Sequence, residues 1–272
     1  MTPQRPRGRP RLIGLPYDAS SSFLPGAAEA PVLIRAALQS PGWNSWAHGL
    51  RDLLAADGLT DAGDLALPPT EAARALIESG VGGMASAGWR PIALGGDHSV
   101  TYPAVRGVVH THGPVTILHL DAHPDLYQEF EGDGWSHACP FARIMEEGLA
   151  GRLIQVGIRT MNRHQRDQAD RFGVEVIEMS DWLAGSRPRT EGKVYLSVDL
   201  DGLDPAYAPG VSHREPGGLT TREVLDLIQR LEGDLVAADV VEYNPRQDVS
   251  GLTATVAAKI VKEVAGRMMP AT

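Results

Sequence analysis

Three side chains able to hold a metal stand at alternate positions of one short stretch. They are Asp121, His123 and Asp125, in Leu118-His119-Leu120-Asp121-Ala122-His123-Pro124-Asp125. Ahead of them, Val115-Thr116-Ile117-Leu118 reads as a buried strand. Alternate residues of an extended chain face the same way, so this strand end aims two carboxylates and an imidazole into one small volume. Carboxylates that close repel each other unless positive charge lies between them. A divalent cation answers that need.

Two other strand ends add to the set. The run 194–198 leads into Asp199 and Asp201, and 91–94 leads into Gly95-Gly96-Asp97-His98. In an open parallel sheet, ligands bind outside the carboxyl ends of the strands. His98, Asp121, His123, Asp125, Asp199 and Asp201 together offer two imidazoles and four carboxylates, enough for two ions that share bridging carboxylates. Mostly oxygen donors with some imidazole suit Mn²⁺ better than a thiolate-seeking ion.

The elements that must position these groups follow from periodicity. Strands are expected at 11–15, 61–65, 91–94, 115–120, 152–158, 174–177, 194–199 and 235–243. Helices are expected at 31–39, at 70–87 with Thr70 as N-cap, at 99–110, from His137 onward, at 162–172, from Thr220, and at 250–268. Thr220 and Glu223 form the signature of a capping box. Glycines at 80, 82, 83 and 88 weaken the second half of the 70–87 helix. Segments 41–48 and 180–193 carry no periodicity and read as connections, with Trp43 and Trp46 as packing residues. Strands that alternate with helices throughout imply an α/β fold: a mostly parallel sheet of about eight strands, covered on both faces.

The chain has 272 residues, 43% of them hydrophobic, which is ample for a full core. No linker divides it, so one catalytic domain over 11–272 is expected behind a disordered tail over 1–10. The net charge of −9 comes with no basic stripe, which argues against a nucleic-acid partner. No apolar run approaches the roughly 20 residues of a membrane helix, so no membrane partner is expected. The Pro- and Arg-rich start has no apolar segment behind it and does not read as a secretory signal; a cytoplasmic location is expected. Cys139 is the single cysteine, so no intrachain disulfide can form.

Four motifs together resemble the ureohydrolase family of arginases, agmatinases and their relatives. They are Gly95-Gly96-Asp97-His98-Ser99, Asp121-Ala122-His123-Pro124-Asp125, Ser136-His137-Ala138-Cys139-Pro140-Phe141, and Ser197-Val198-Asp199-Leu200-Asp201-Gly202-Leu203-Asp204-Pro205. The Phe141-Ala142-Arg143-Ile144-Met145-Glu146 stretch and Ala238-Asp239-Val240-Val241-Glu242-Tyr243-Asn244-Pro245 are most similar to the plant-type arginase and agmatinase branch. The resemblance implies a three-layer α/β/α sandwich around a parallel eight-stranded sheet, two Mn²⁺ ions per subunit that activate a water, and a trimeric or hexameric homo-oligomer. Carried over by motif, His98 and Asp125 serve one ion, His123 and Asp201 the other, and Asp121 and Asp199 bridge them. His137 becomes the proton shuttle to the leaving amine, and Glu242 holds the guanidinium by a two-point contact.

The implied reaction is hydrolysis of a small guanidino substrate to urea and an amine. Where animal-type arginases carry an Asn that helps hold the substrate carboxylate, this chain has Tyr127. The Ser-His-x-x-Pro-Phe pattern resembles agmatinases, so agmatine is slightly preferred over L-arginine as substrate, with other guanidino compounds open. A two-metal phosphoester hydrolase is a second class, against which stands the want of an Arg/Lys cluster or glycine-rich phosphate cradle near the motifs. A non-catalytic metal-binding regulatory subunit is a third, and such a subunit would be expected to have lost ligands. Asp97 and Asp204 either orient the groups that touch the metals or cap turns. His119 reads as a hydrogen-bonded core histidine, His110 and His112 as surface residues at a helix end, and Cys139 as inert packing. His213 is placed to line the entrance, and Asp18 to reach its mouth.

Overall fold

The computed structural model describes residues 8–269. Residues 1–7 and 270–272 lie outside the described residues, and with them most of the expected tail. The strands are β1 (Arg9–Gly14), β2 (Trp46–Ala47), β3 (Arg51–Asp52), β4 (Thr60–Asp64), β5 (Trp89–Leu94), β6 (Val115–Leu120), β7 (Ala150–Ile158), β8 (Glu175–Glu178), β9 (Lys193–Asp199) and β10 (Asp234–Val241). The helices are α1 (Ala30–Leu38), α2 (Ala72–Ser86), α3 (Thr101–His112), α4 (Pro140–Glu146), α5 (Arg163–Phe172), α6 (Met179–Leu183), α7 (Thr221–Arg230) and α8 (Leu252–Met268).

Eight strands form one sheet in the order β4-β1-β5-β10-β9-β6-β7-β8, and all of its pairings are parallel. Side chains of each strand alternate between two cores. Ile92, Leu94, Leu118, Leu120, Leu196 and Val198 pack under α1, α7 and α8. Ala93, Ile117, Leu153 and Tyr195 pack under α2, α3 and α4. This is the expected three-layer sandwich. The central strands β5, β10, β9 and β6 are neighbours, so residues 95–98, 242, 199–201 and 121–125 emerge side by side at one edge of the sheet.

Several local expectations are corrected. Thr70 does not cap α2; the helix starts at Ala72 behind Glu71, with no side-chain cap. Its glycines do not end it either. A Cβ at Gly107 of α3 would lie 2.4 Å from Glu78 O, and one at Gly82 would lie 3.0 Å from Gly107 O. Bare backbones let the two helices pack closely, and that contact outweighs glycine's poor helix propensity. The 180–193 connection hides α6, a short helix that buries Trp182. The 41–48 segment contributes β2, which pairs antiparallel with β3; Trp43 packs against the core, whereas Trp46 is half exposed. The Thr220–Glu223 capping box and the Asn162 cap of α5 form as local chemistry requires.

Candidate metal centre

The bend after β5 delivers His98. Asp97 is the N-cap of a short 3-10 turn, accepting the Ser99 N–H at 3.0 Å on Oδ1. Its Oδ2 accepts the Ser20 N–H at 3.0 Å, which ties the loop before α1 to the site. Gly96 allows this approach, because a Cβ there would sit 1.7 Å from Tyr17 O. Asp97 is thus a structural cap and tie, and burial pushes its carboxyl up to about 6.

His98 is fully buried, and its Nδ1 points at three carboxylates. Asp125 Oδ2 is 3.0 Å away, Asp199 Oδ2 3.1 Å and Asp121 Oδ2 3.2 Å. That nitrogen makes no regular hydrogen bond among the described residues. His123 Nδ1 lies 3.1 Å from Asp201 Oδ2 and 3.4 Å from Asp121 Oδ1. Asp121 therefore faces both histidines, one oxygen each. Asp199 faces His98 with Oδ2, while its Oδ1 accepts the Asp201 N–H at 2.8 Å. The sequence-derived six come together as one cluster, with Asp125 held at φ 49°, a conformation that non-glycine residues adopt only when their surroundings impose it.

The electrostatics of the cluster favour added positive charge. Burial lowers the His98 pKa, yet the Asp121, Asp125 and Asp199 carboxylates outweigh it and hold the imidazole well above its usual range. Burial, then Asp201 and Asp121, hold the Asp199 carboxyl far above the usual carboxylate value. An orphaned buried imidazole nitrogen encircled by carboxylates is a donor set that fits a divalent cation, and oxygen-rich donors favour a hard one.

Beside the cluster lies a cavity of about 170 Å³, lined by His123, Asp125, Asp199, Asp201, His137, Glu242, Ser22, His213, Tyr127 and Phe130 among others. Glu242 follows β10 at φ 61°, a second strained non-glycine residue at the site. Its Oε1 accepts the His98 N–H at 2.9 Å and lies 2.9 Å from His137 Nδ1. Burial disfavours charge on His137, but the Glu242 carboxylate raises it to about 9.

A model of the arginase family matches residues 9–266. The chain belongs to the arginase family. It is 48% identical to "Arginase 1, mitochondrial" of Arabidopsis thaliana over 94% of this chain and 80% of that one. The structure superposes on the arginase of Medicago truncatula with a TM-score of 0.90 at 43% identity, covering 96% of this chain and 88% of that one. The agmatine ureohydrolase of Thermoplasma volcanium matches with a TM-score of 0.85 at 33% identity, over 98% and 92% of the two chains. As a member of the family, the chain is a hydrolase acting on guanidino C–N bonds. The expected cytoplasmic location does not stand: arginases similar to this chain are named mitochondrial or chloroplastic/mitochondrial.

Other expectations sort out around this arginase-family site. Asp18 caps the turn before α1, accepting the N–H groups of Gly26 and Ala28, rather than reaching the mouth. Asp204 accepts the N–H groups of Ala206, Gly217 and Gly218, so it organises a turn. Cys139 is buried, and that burial pushes its thiol up to about 12, which fits inert packing. His213 does line the cavity, its ring 5.4 Å from that of His137. Two residues were missed. Ser22 meets His137 Nε2 with its hydroxyl at 2.8 Å. Arg159 donates to the carbonyls of Asp201, Leu203 and Glu215, clamping the loop that carries Asp201. Neither stands in a metal-ligand pattern; the only sequence signal is Ser22's place in a polar Ser-rich loop.

Proposed function

We propose that the chain is a binuclear-manganese arginase that cleaves L-arginine to urea and ornithine. His98 and Asp125 would hold one ion, His123 and Asp201 the other, with Asp121 and Asp199 shared. The observation that carries the metal reading is the unpartnered, buried His98 Nδ1 within 3.2 Å of three carboxylate oxygens. When bound, the metal pair supplies the activation of water for attack at neutral pH.

The chain's own residues do the rest. Glu242, with Oε1 fixed by the His98 N–H, receives the guanidinium as a charge-assisted partner. His137, held up to about 9, carries its proton at neutral pH and gives it to the leaving amine. Ser22 keeps the imidazole in place. Among the described residues the cavity wall bears carboxylates and histidines and no lysine or arginine, which suits a cationic guanidinium and not a phosphoester.

L-arginine replaces the slight preference for agmatine. The plant arginases share nearly half of their aligned residues with this chain, and the pattern that pointed to agmatinases covers only a few positions. Tyr127, which takes a hydrogen bond from Asn162 Nδ2 at 2.6 Å, lines the cavity where the substrate's amino-acid end would lie. The test is urea release by the Mn²⁺-loaded protein, with L-arginine and agmatine assayed in parallel. Turnover of L-arginine supports the reading; turnover of agmatine alone overturns the substrate, and urea from neither overturns the activity. A homo-oligomer, trimeric or hexameric, is proposed with it, and a monomer by sedimentation would remove that part.

A further inference from the structure

Beneath the cluster, the sheet carries a second row of polar side chains that the proposed reaction does not use. Gln155 of β7, His119 of β6, Ser197 of β9 and Asp239 of β10 are successive register partners across four adjacent strands. All four have 0% exposure. His119 lies two residues before Asp121 and Ser197 two before Asp199, so the row shares their face of the sheet, one level deeper. Polar groups in the middle of a covered sheet cost free energy unless each finds a partner. Here the partners are one another, neighbouring polar groups and, through Ser197 and His119, the residues of the cluster above.

At one end, Asp239 accepts hydrogen bonds from Ser197 Oγ at 2.6 Å, Tyr195 OH at 2.7 Å and Thr101 Oγ1 at 2.8 Å. Ser197 has one hydroxyl hydrogen and gives it to Asp239. Its oxygen therefore accepts from His98 Nε2, 3.0 Å away. With a hydrogen kept on Nε2, Nδ1, which faces Asp121, Asp125 and Asp199, is the nitrogen whose lone pair a metal would take. At the other end, the Gln155 amide nitrogen donates to Pro124 O at 2.6 Å and to His119 Nδ1 at 3.0 Å. The amide oxygen of Gln155 has no partner among the described residues, so the amide is turned to serve these two acceptors. His119 then carries its hydrogen on Nε2 and donates it to Asp121 Oδ2 at 2.7 Å. Phe141 stacks on the His119 ring with centroids 3.9 Å apart and holds its plane.

We propose that this buried row is a positioning device: Asp239 and Ser197 fix the His98 tautomer that leaves Nδ1 free for a metal, and Gln155 and His119 fix the rotation of the shared carboxylate of Asp121. The inference rests on the metal reading above. His123 has no such support. Its ring is a quarter exposed, and among the described residues its Nε2 has an ion-pair contact to Glu215 at 3.9 Å and no hydrogen bond. The Asp239–Ser197 end thus acts on the metal position served by His98, whereas the Gln155–His119 end acts on Asp121, which faces both positions.

The test is Mn²⁺ titration of the full chain, with free Mn²⁺ followed by electron paramagnetic resonance. Wild-type protein is expected to bind two ions. Ser197→Ala is expected to weaken one binding step by about ten- to a hundredfold, the size of effect seen when partners of metal ligands are removed, and to leave the other step unchanged. Gln155→Leu, acting through the shared Asp121, is expected to weaken both steps. Circular dichroism on the same samples limits the comparison to folded protein. If either variant does not fold, the other carries the test through its own end of the row. Two unchanged steps in a folded variant would overturn the positioning role, as would equal weakening of both steps in Ser197→Ala. Failure of the wild type to bind two ions would instead overturn the metal reading itself.

Discussion

Glu242 Oε1 and His137 Nδ1 lie 2.9 Å apart, and the same oxygen accepts the His98 backbone N–H. One carboxylate thus joins the proposed proton donor to the backbone of a proposed metal ligand. Its own backbone sits at φ 61°, a strained conformation that the hydrogen bonds around it maintain.

This pair sets a pH dependence of stability. His137 is raised from 6.5 to about 9, so its contribution is full below the unfolded value and is lost as pH rises through about 9. Glu242 is held below its usual 4.5 despite burial, chiefly by His137, so its share is lost as pH falls through that lowered value. The melting-temperature gap between wild type and His137→Asn is expected to be widest near about pH 6 and to close by about pH 10, with a ceiling of about 3 kcal/mol. A gap that is flat with pH would contradict the ion-pair reading.

The same two residues separate kinetically. His137→Asn removes the proton donor and is expected to lower kcat by about 10²- to 10⁴-fold. Glu242→Gln keeps the shape of the side chain but not its charge, and its larger effect is expected on KM for the guanidinium substrate. Urea production across a substrate series reads both. Unchanged kcat in His137→Asn would remove that histidine from the reaction.

Asp121 presents one oxygen to each histidine of the cluster. Asp121→Asn and Asp199→Asn are expected to abolish metal retention and activity together, because an amide cannot supply the shared negative charge. Elemental analysis after dialysis checks this, and full metal content with full activity in either variant would sink the two-metal arrangement.

Removal of the metal should also cost stability. Buried carboxylates that face each other repel when no cation lies between them. Chelation is expected to lower the melting temperature, and Mn²⁺ at about a hundredfold over its Kd is expected to restore about 3 kcal/mol. A melting temperature indifferent to Mn²⁺ would be incompatible with ions bound at this cluster.

Gly96→Ala tests how the loop before α1 is tied to the site. The added Cβ would fall 1.7 Å from Tyr17 O, a backbone atom that also accepts the Asp97 N–H. The expected result is a folded protein with weakened metal binding, or a loss of several kcal/mol of stability as the backbone shifts. Wild-type stability and metal content together would show that the loop moves freely.

Much of this protein was legible in the sequence because its chemistry is carried by periodic strands. Periodicity placed the strands that lead into Asp121, His123 and Asp125 and into Asp199 and Asp201. The alternation expected to aim these ligands does not continue through them: β6 ends at Leu120, Asp125 sits at φ 49° and Asp201 lies in a 3-10 turn, so turns past the strand ends bring them together. Capping at Thr220 was a local signal, whereas the Asn162 cap of α5 emerged only in the structure. The motif resemblance supplied the roles expected of His137 and Glu242, which no local pattern shows.

Tertiary structure decided what spacing cannot encode. The order β5-β10-β9-β6 brings strands far apart in sequence into contact, and only that adjacency makes one cluster of six side chains. Helix propensity lost to packing at Gly82 and Gly107, where backbone approach mattered more than local preference. Ser22, Arg159 and the row from Gln155 to Asp239 carry no signature, because serine, glutamine and arginine are ordinary residues until a fold places a specific partner beside them. A strand's own sequence names its face; its neighbours in the sheet determine what that face meets.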